Sequence, residues 1–238
     1  NGKSWDLDHK YILASNAFER PIYFAVTCRP ESLHGLDPYF ELEGLSLRFI
    51  PVKSSEDRKY GMVGKGRVDL DAAYNNIMDK FKWGNFDKMK LYVDRSYGPS
   101  IQTIRVAMMR LGEELLRAGD KTRTVSLVDK YFEAFPHMNF PFDGNTMIFI
   151  NMYLQADQKE KAKPHIRTLA KETEEQLQFL MFGLSPDEMQ SGFTQDFSNF
   201  QRVKNDLLRT AEQMGDKELQ EELKAQFAPF DLGDTENK

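Results

Sequence analysis

The residues of one early stretch of the chain, "FERPIYFAVTC", divide between two faces with a period of two. Apolar residues occupy both faces of this stretch, with Ile22, Phe24, Val26 and Cys28 opposite Tyr23, Ala25 and Thr27. Such alternation predicts a β-strand over residues 21–28 that is covered on both sides. The stretch "LSLRFIPVK" predicts a second strand, which ends at Pro51, and the Pro- and Gly-rich residues between the two strands predict turns.

A period near 3.6 residues replaces this alternation after residue 69. Residues 69–81 predict a helix, because Tyr74, Ile77, Met78 and Phe81 fall on one face. From residue 96 onward the pattern predicts six amphipathic helices in succession. The first of them has an apolar residue every three or four positions, at Ile101, Ile104, Met108, Leu111 and Leu115.

Three tight connections separate helices in this region: "RAGDK", "QADQKEKA" and "QMGDKE". Gly119 is a predicted C-cap and Asp120 a predicted N-cap, while Asp157 and Glu160 have capping-box spacing, as do the residues of "SPDE" at 185–188. Helix pairs joined in this way are the basis of tetratricopeptide-like solenoids. The connections are irregularly spaced, so an unrelated helical bundle stays open as the alternative.

The two patterns together predict an α+β fold, with a small strand-containing part followed by antiparallel helix pairs. Residues 1–95 are the predicted mixed β/α segment, residues 96–230 the tetratricopeptide-like α-solenoid, and residues 231–238 a loose tail. The longest apolar run, "TMIFINMYL", is shorter than the roughly 20 residues of a membrane helix. We therefore expect a soluble, mainly monomeric protein. Because the chain starts at Asn1 without a signal peptide, we interpret it as an excised piece of a longer protein.

The charge and the cysteine content exclude several classes of function. The net charge is −5 and the isoelectric point about 5.5, which argues against nucleic-acid partners and anionic membrane surfaces, since both select basic proteins. The single cysteine, Cys28, excludes an intrachain disulfide and a cysteine metal cluster. Its place in a strand predicts a small buried apolar residue rather than a nucleophile.

No catalytic set emerges from the candidate motifs, and the sequence predicts neither a metal site nor a cofactor. "HGLD" at 34–37 and "GMVGKG" at 61–66 fit turns, since the second lacks the spacing of a phosphate-binding loop. "DLD" at 69–71 lacks the glycine and glutamate of a calcium loop and fits a helix N-terminus. Trp83 in "DKFKWGNF" is a candidate for stacking on a sugar; the alternative is that it fills the seam between two packed layers. "FPHMNFPFDG" at 135–144 predicts a packed, rigid loop.

A tetratricopeptide-like stack would place a partner on the first helix of each pair, here residues 99–118 and 143–154. The residues just beside the buried stripe of these helices are predicted to line the groove: Gln102, Arg105, Met109, Asn145, Phe149 and Met152. Arg105 would bind an acidic group by a forked hydrogen bond. In the alternative, Met109, Phe149 and Met152 are core residues that pack against the next helix pair.

Several stretches in order resemble a known family: "ILASNAFERPIYFAVT", "GLDPYFELEGLSLRFIPVK", "VDLDAAYNNIMDKFKWGN" and "FPHMNFPFD". Residues 11–180 resemble the C-terminal soluble region of bacterial multi-pass membrane proteins, a domain-of-unknown-function family similar to protein O-mannosyltransferases of the glycosyltransferase C class. The resemblance implies an extracytoplasmic, periplasmic domain that follows a membrane-embedded part. It also implies that the transferase residues lie in that part, so none is carried over onto this sequence.

The leading functional hypothesis is a non-catalytic accessory domain of such a membrane glycosyltransferase. It would bind a protein substrate, a glycan or a partner, including the N-terminal membrane domain of the same parent chain. The second hypothesis is a free-standing exported sugar-binding protein or enzyme that uses the N-terminal loops. The third is a purely structural helical scaffold.

Overall fold

The computed structural model describes residues 11, 14–16, 19–33, 35–54 and 58–231. They form two units that divide between Ala134 and Phe135. Helices predominate, and a four-stranded sheet lies in the first unit, so the predicted α+β class is confirmed. The division comes later than the predicted boundary between residues 95 and 96, because the helices of residues 98–134 belong to the same unit as the sheet.

The sheet of the first unit has four short strands: β1 (Tyr23–Ala25), β2 (Phe40–Leu42), β3 (Ser46–Phe49) and β4 (Arg67–Val68). Their order across the sheet is β1-β3-β2-β4. Strand β3 pairs antiparallel with both of its neighbours, and β2 pairs parallel with β4. The two predicted strands correspond to β1 and β3. Strand β2 lies inside the stretch predicted as turns, so that prediction is wrong for residues 40–42.

Strand β1 has one exposed face, which corrects the prediction that both of its faces are covered. The side chains of Tyr23, Ala25 and Thr27 are exposed, whereas Val26 is buried and Phe24 is half-buried. Among the described residues β1 pairs with β3 alone, so it is an edge strand of the sheet. The strand itself was predicted correctly. Apolar residues on its outer face, however, do not show whether another layer of the protein covers them.

Aromatic and aliphatic side chains fill the inner face of the sheet. Phe40, Leu42 and Leu47 are fully buried, and burial of each contributes about 2 kcal/mol. The ring centroids of Phe24 and Phe40 lie 5.1 Å apart, and those of Phe40 and Phe49 lie 6.4 Å apart. Phe40 therefore sits at the centre of the apolar layer that holds β1 and β3 together.

The described part of the first unit also contains the helices α1 (Leu70–Asn75), α2 (Gly98–Arg117) and α3 (Lys121–Ala134). Helix α1 continues as a π-helical turn, Asn76–Lys80, and 3-10 turns are formed by Pro30–Leu33, Asp37–Tyr39, Arg58–Gly64 and Arg95–Tyr97. Asp69 caps α1 by accepting hydrogen bonds from the backbone of Asp71 and Ala72, as expected for a helix N-terminus. Helix α2 packs against Arg58–Gly64, β4 and α1, which explains why it belongs to the unit of the sheet.

Helices α2 and α3 form a hairpin whose connection follows the predicted capping. Gly119 has a φ of +75°, which favours glycine. Asp120 accepts a hydrogen bond of 2.9 Å from the backbone N–H of Arg123 and one of 2.6 Å from its Nε. Local chemistry therefore fixes the turn, independently of distant contacts.

We expect Asp120→Ala to lower the free energy of unfolding of the first unit by about 1 kcal/mol at neutral pH. The backbone N–H of Arg123 and then its guanidinium lower the pKa of Asp120. Because its pKa is lower in the folded state, the ionised carboxylate stabilises the native state at any pH above its unfolded pKa of about 4. This stabilisation is lost as the pH falls through the folded pKa. Urea unfolding at pH 7 and near pH 3 should show that the difference in unfolding free energy between the unaltered chain and Asp120→Ala is smaller at the lower pH. Asp120→Asn, which retains a cap, should keep most of the stability at pH 7; an equal loss in both variants would contradict the capping role.

Up to residue 231, the longer helices of the second unit are α4 (Thr146–Gln155), α5 (Lys159–Gln178), α6 (Thr194–Met214) and α7 (Lys217–Phe227). Each packs against the next along the chain. Helix α5 continues as a π-helical turn, Phe179–Gly183; a helical turn, Pro186–Glu188, and a second π-helical turn, Met189–Phe193, lead into α6. A 3-10 turn, Ala228–Phe230, follows α7.

One of the two capping predictions for this unit is confirmed. Ser185 and Glu188 form the predicted capping box, and Gly215 (φ +70°) with Asp216 makes the turn between α6 and α7. The box predicted for Asp157 and Glu160 is not confirmed, because Asp157 does not occupy the N-cap position of α5. Asp157 instead takes a φ of +62°, and α5 begins after Gln158, whose side chain makes no capping hydrogen bond. Within the described ranges, no helix combines the length and apolar character needed to cross a membrane.

Candidate functional site

The three predicted groove residues of α2 differ in exposure. Gln102 is exposed, whereas Arg105 and Met109 are buried, with 8% and 2% of their surface accessible. A guanidinium nitrogen of Arg105 donates a hydrogen bond of 2.7 Å to the hydroxyl of Tyr131, and the guanidinium lies 5.6 Å from the centre of that ring. Arg105 thus connects α2 with α3, and binding of an acidic ligand would require it to leave this contact.

The predicted residues of α4 lie in the second unit and are mostly buried. Asn145 is half-buried at the start of the helix, and Phe149 and Met152 expose 0% and 2% of their surface. The burial of Met109, Phe149 and Met152 agrees with the alternative in which they are core residues. A partner-binding role for the six residues stays a prediction, carried by the exposed Gln102 and the half-buried Asn145.

Trp83 lies near the hairpin of β2 and β3. Its ring centroid is 5.8 Å from that of Phe81, and its side chain is half-buried. The Phe81 ring approaches Gly44 so closely that a Cβ added there would lie 3.3 Å from the ring. This position fits the alternative of a residue between packed layers; stacking of Trp83 on a sugar stays a prediction.

The glycine-rich loop at 61–66 presents carbonyl groups, rather than N–H groups, to a buried cation. Arg110 of α2 is 3% exposed and donates hydrogen bonds to the backbone carbonyls of Val63 and Gly66, and to that of Lys65 at 3.2 Å. Phosphate loops bind their ligand through backbone N–H groups. The loop therefore has a structural partner, which the sequence pattern did not reveal because Arg110 lies on a helix rich in charged residues.

Three carboxylates come together beside the sheet, where the structure offers a possible arrangement of metal ligands. Oxygens of Glu41, Glu43 and Asp69 lie within 4.8 Å of one another. Glu41 pairs with Arg67 at 2.6 Å, Glu43 accepts from Arg48 at 3.3 Å and from the Tyr23 hydroxyl at 3.0 Å, and Asp69 caps α1. These contacts account for the cluster as structural ion pairs and a helix cap.

Two histidines of the second unit lie against the same aromatic ring. The rings of His137 and His165 lie 5.1 Å and 6.0 Å from the ring of Phe142, and Nε2 of His137 is 2.6 Å from a Glu172 oxygen. These contacts hold the loop of residues 135–144 against α5, as expected for a packed loop. The other two histidines, His9 and His34, lie outside the described residues, so the arrangement of "HGLD" is not placed.

An apolar cleft of about 390 Å³ opens at one end of the sheet in the first unit. Such a volume is in the range of small-ligand and peptide-side-chain pockets. The cleft lies between the end of β1, the β2–β3 turn and the start of α2. Its lining residues are Val26, Thr27, Leu45, Pro99, Ser100, Thr103 and Ile104.

A comparison with protein families supports the N-terminal part of the resemblance found in the sequence. Residues 7–72 match the family model described as TMEM260-associated domain 2. The matched range includes all four strands of the sheet and the start of α1. No curated protein and no solved structure matches the chain. The match covers the N-terminal third of the chain and associates it with TMEM260 through a domain of unknown function.

Proposed function

We propose that the chain is a non-catalytic interaction domain of a TMEM260-like, O-mannosyltransferase-like membrane protein, and that it acts on the extracytoplasmic side. The observation that carries the proposal is the match of residues 7–72 to TMEM260-associated domain 2. This region forms the sheet, its exposed edge strand and part of the cleft lining. The sugar-transfer chemistry would belong to the membrane-embedded part of the system.

The contacts of the titratable groups favour binding over catalysis. Arg105 and Arg110 hold Tyr131 and the loop at 61–66, and the three clustered carboxylates have arginine, hydroxyl or backbone partners. Groups engaged in this way stabilise the fold, whereas a general acid or base must reach a substrate. We therefore assign the chain a role in recognition.

The helices suit a tetratricopeptide-like interaction scaffold. Three helical hairpins, α2–α3, α4–α5 and α6–α7, have connections of two or three residues built around a left-handed residue. These residues are Gly119, Asp157 and Gly215. Stacked hairpins of this type commonly present extended binding surfaces, so we include a tetratricopeptide-like arrangement in the proposal.

The cleft is the proposed contact with a protein partner. Val26, Leu45 and Ile104 supply apolar walls, while Thr27 and Ser100 place hydroxyls at the opening. Strand β1 ends at this cleft and has an open edge among the described residues. An extended peptide with an apolar side chain can use both features, with backbone hydrogen bonds to the edge and its side chain in the cleft.

We expect Ser100→Trp to lower co-purification of the chain with the TMEM260-like membrane protein of the same genome by about tenfold, or 1.4 kcal/mol. Ser100 is exposed at the cleft, so the indole would occupy the cleft without disturbing the core. The measurement is quantitative co-purification of the co-expressed proteins from detergent.

Thr122→Trp is the matched control, because Thr122 is exposed on α3 outside the cleft. Gln102→Trp tests the groove predicted from the sequence. Equal binding by all three variants would exclude the cleft, and no co-purification of the unaltered chain would exclude the partner. Sugar transfer by the isolated chain from a lipid-linked or nucleotide donor would contradict the non-catalytic role and favour the free-standing enzyme.

A further inference from the structure

Three phenylalanines of the second unit are exposed on one surface. The accessible fractions of Phe179, Phe182 and Phe193 are 50%, 65% and 37%. The rings of Phe179 and Phe193 lie 6.4 Å apart, edge to face, and the ring of Phe182 lies 6.1 Å from that of Phe230. We call Phe179, Phe182 and Phe193 the aromatic surface. Clustered exposed aromatic side chains mark interaction sites in soluble domains.

The aromatic surface is held by buried neighbours. Leu177 and Leu180 are buried at 0% and 2%, so the segment that carries Phe179 and Phe182 is anchored in the core. The Phe179 ring also lies against Gly183, where an added Cβ would be 3.1 Å from it. Both π-helical turns, Phe179–Gly183 and Met189–Phe193, fall here, and such turns are frequent at functional sites.

A shallow depression of about 410 Å³ lies between the rings and the end of α5. Its lining combines Phe179 and Phe182 of the aromatic surface with Gly183 and with the polar residues Glu175 and Gln178. The depression gives an approaching apolar side chain a place to bury beside a carboxylate. A partner segment in which an aliphatic or aromatic residue is followed by a basic residue would fill the depression and pair with the carboxylate.

The stretch of sequence that carries the aromatic surface has charges of one sign. Residues 172–201 contain six acidic residues and no Lys, Arg or His. Some of these carboxylates have local partners: Glu172 contacts His137, Glu174 accepts from Gln226, and Glu188 belongs to the capping box. Glu175 lies 3.9 Å from Lys171, a distance at which an exposed pair contributes little. Asp187 and Asp196 are exposed beside the same segment.

We propose that the aromatic surface binds a basic amphipathic helix of a partner protein. The apolar face of such a helix would cover Phe179, Phe182 and Phe193, and its Lys or Arg side chains would pair with Glu175 and Asp187 or lie over the exposed rings. Two copies of this chain would bring acidic residues against each other, and an anionic membrane would be repelled. The inference concerns the second unit and does not rest on the proposed binding at the cleft, whose lining residues belong to the first.

The test uses a synthetic peptide of about 18 residues, or about five helical turns, with Leu on one face and Lys on the other. We expect the intact chain to bind it, and Phe179→Ser with Phe182→Ser to weaken binding at least tenfold by fluorescence anisotropy. Glu175→Lys with Asp187→Lys should weaken binding to a similar degree and reduce its dependence on salt, because fewer ion pairs remain to be screened.

Tyr92→Ser with Tyr97→Ser is the matched aromatic control, since these side chains are 89% and 62% exposed outside this surface. It should leave the affinity unchanged. The lysine double variant keeps the test valid if the serine double variant fails to fold. Equal binding of a peptide with Glu in place of Lys, unchanged affinity in the lysine variant, self-association that depends on Phe182, or binding to neutral phosphatidylcholine vesicles instead of the peptide would each overturn the proposal.

Discussion

Gly66→Ala should lower the free energy of unfolding of the first unit by about 3 kcal/mol or more. A Cβ at residue 66 would lie 1.8 Å from the carbonyl oxygen of Phe40 and 2.3 Å from its carbonyl carbon. Both are backbone atoms. They cannot move away easily, because Phe40 is the first residue of β2 and is paired with Phe49 of β3. The left-handed φ of +66° adds a second penalty for any residue other than glycine.

The effect can be measured by urea unfolding followed through tryptophan fluorescence, since Trp83 belongs to the first unit and the sequence of residues 135–238 contains no tryptophan. Gly119→Ala is the matched control. Gly119 has a φ of +75° in the same unit, but no atom lies within 4 Å of an added Cβ, so only the backbone penalty of about 1 kcal/mol applies. Equal losses in the two variants would show that the contact with Phe40 carries no weight.

Helix ends were the most predictable part of this fold because their causes are local. Asp120, Ser185 and Gly215 act within four residues of their own position, and the structure confirms their turns. The sheet was harder to predict because β4 has two residues and β2 three, too few for a periodic signal. Their pairing joins residues far apart in the chain, such as Glu41 and Arg67, which no local pattern specifies.

The candidate sites show a second limit of periodicity. Residues beside the apolar stripe of α2 were expected to face a groove, but residues 107–112 of that helix are buried without interruption. A helix that is covered on several sides has no polar face. The apolar stripe of α2 therefore does not show that the residues beside it are open to solvent. Conversely, the apolar side chain of Phe193 is 37% exposed. An apolar residue looks the same in the sequence whether it meets a core or a partner.

The role of Arg110 could not be predicted from its position in the sequence. Its substitution is the second change that we expect to alter stability strongly. Its position on α2 next to Met109 suggests a solvated charge, yet the structure buries it against the loop at 61–66. The carbonyls of Val63 and Gly66 both accept hydrogen bonds from its guanidinium. The same loop contains Gly66, whose close approach to Phe40 positions β4 beside β2. Arg110 therefore supports the residues that close the sheet.

We expect Arg110→Met to destabilise the first unit by about 3 kcal/mol, because it keeps the apolar stem and leaves buried carbonyls without their donor. Arg110→Lys should lose less than the Met variant, since one ammonium reaches fewer carbonyls than the guanidinium fork. Arg117→Met on the same helix is the control; its side chain is 62% exposed, and its loss should stay below about 0.5 kcal/mol. If urea unfolding gave Arg110→Met and Arg117→Met the same midpoint, the guanidinium would not hold the loop, and the stability of β4 would have to come from its pairing with β2 and the packing of α2.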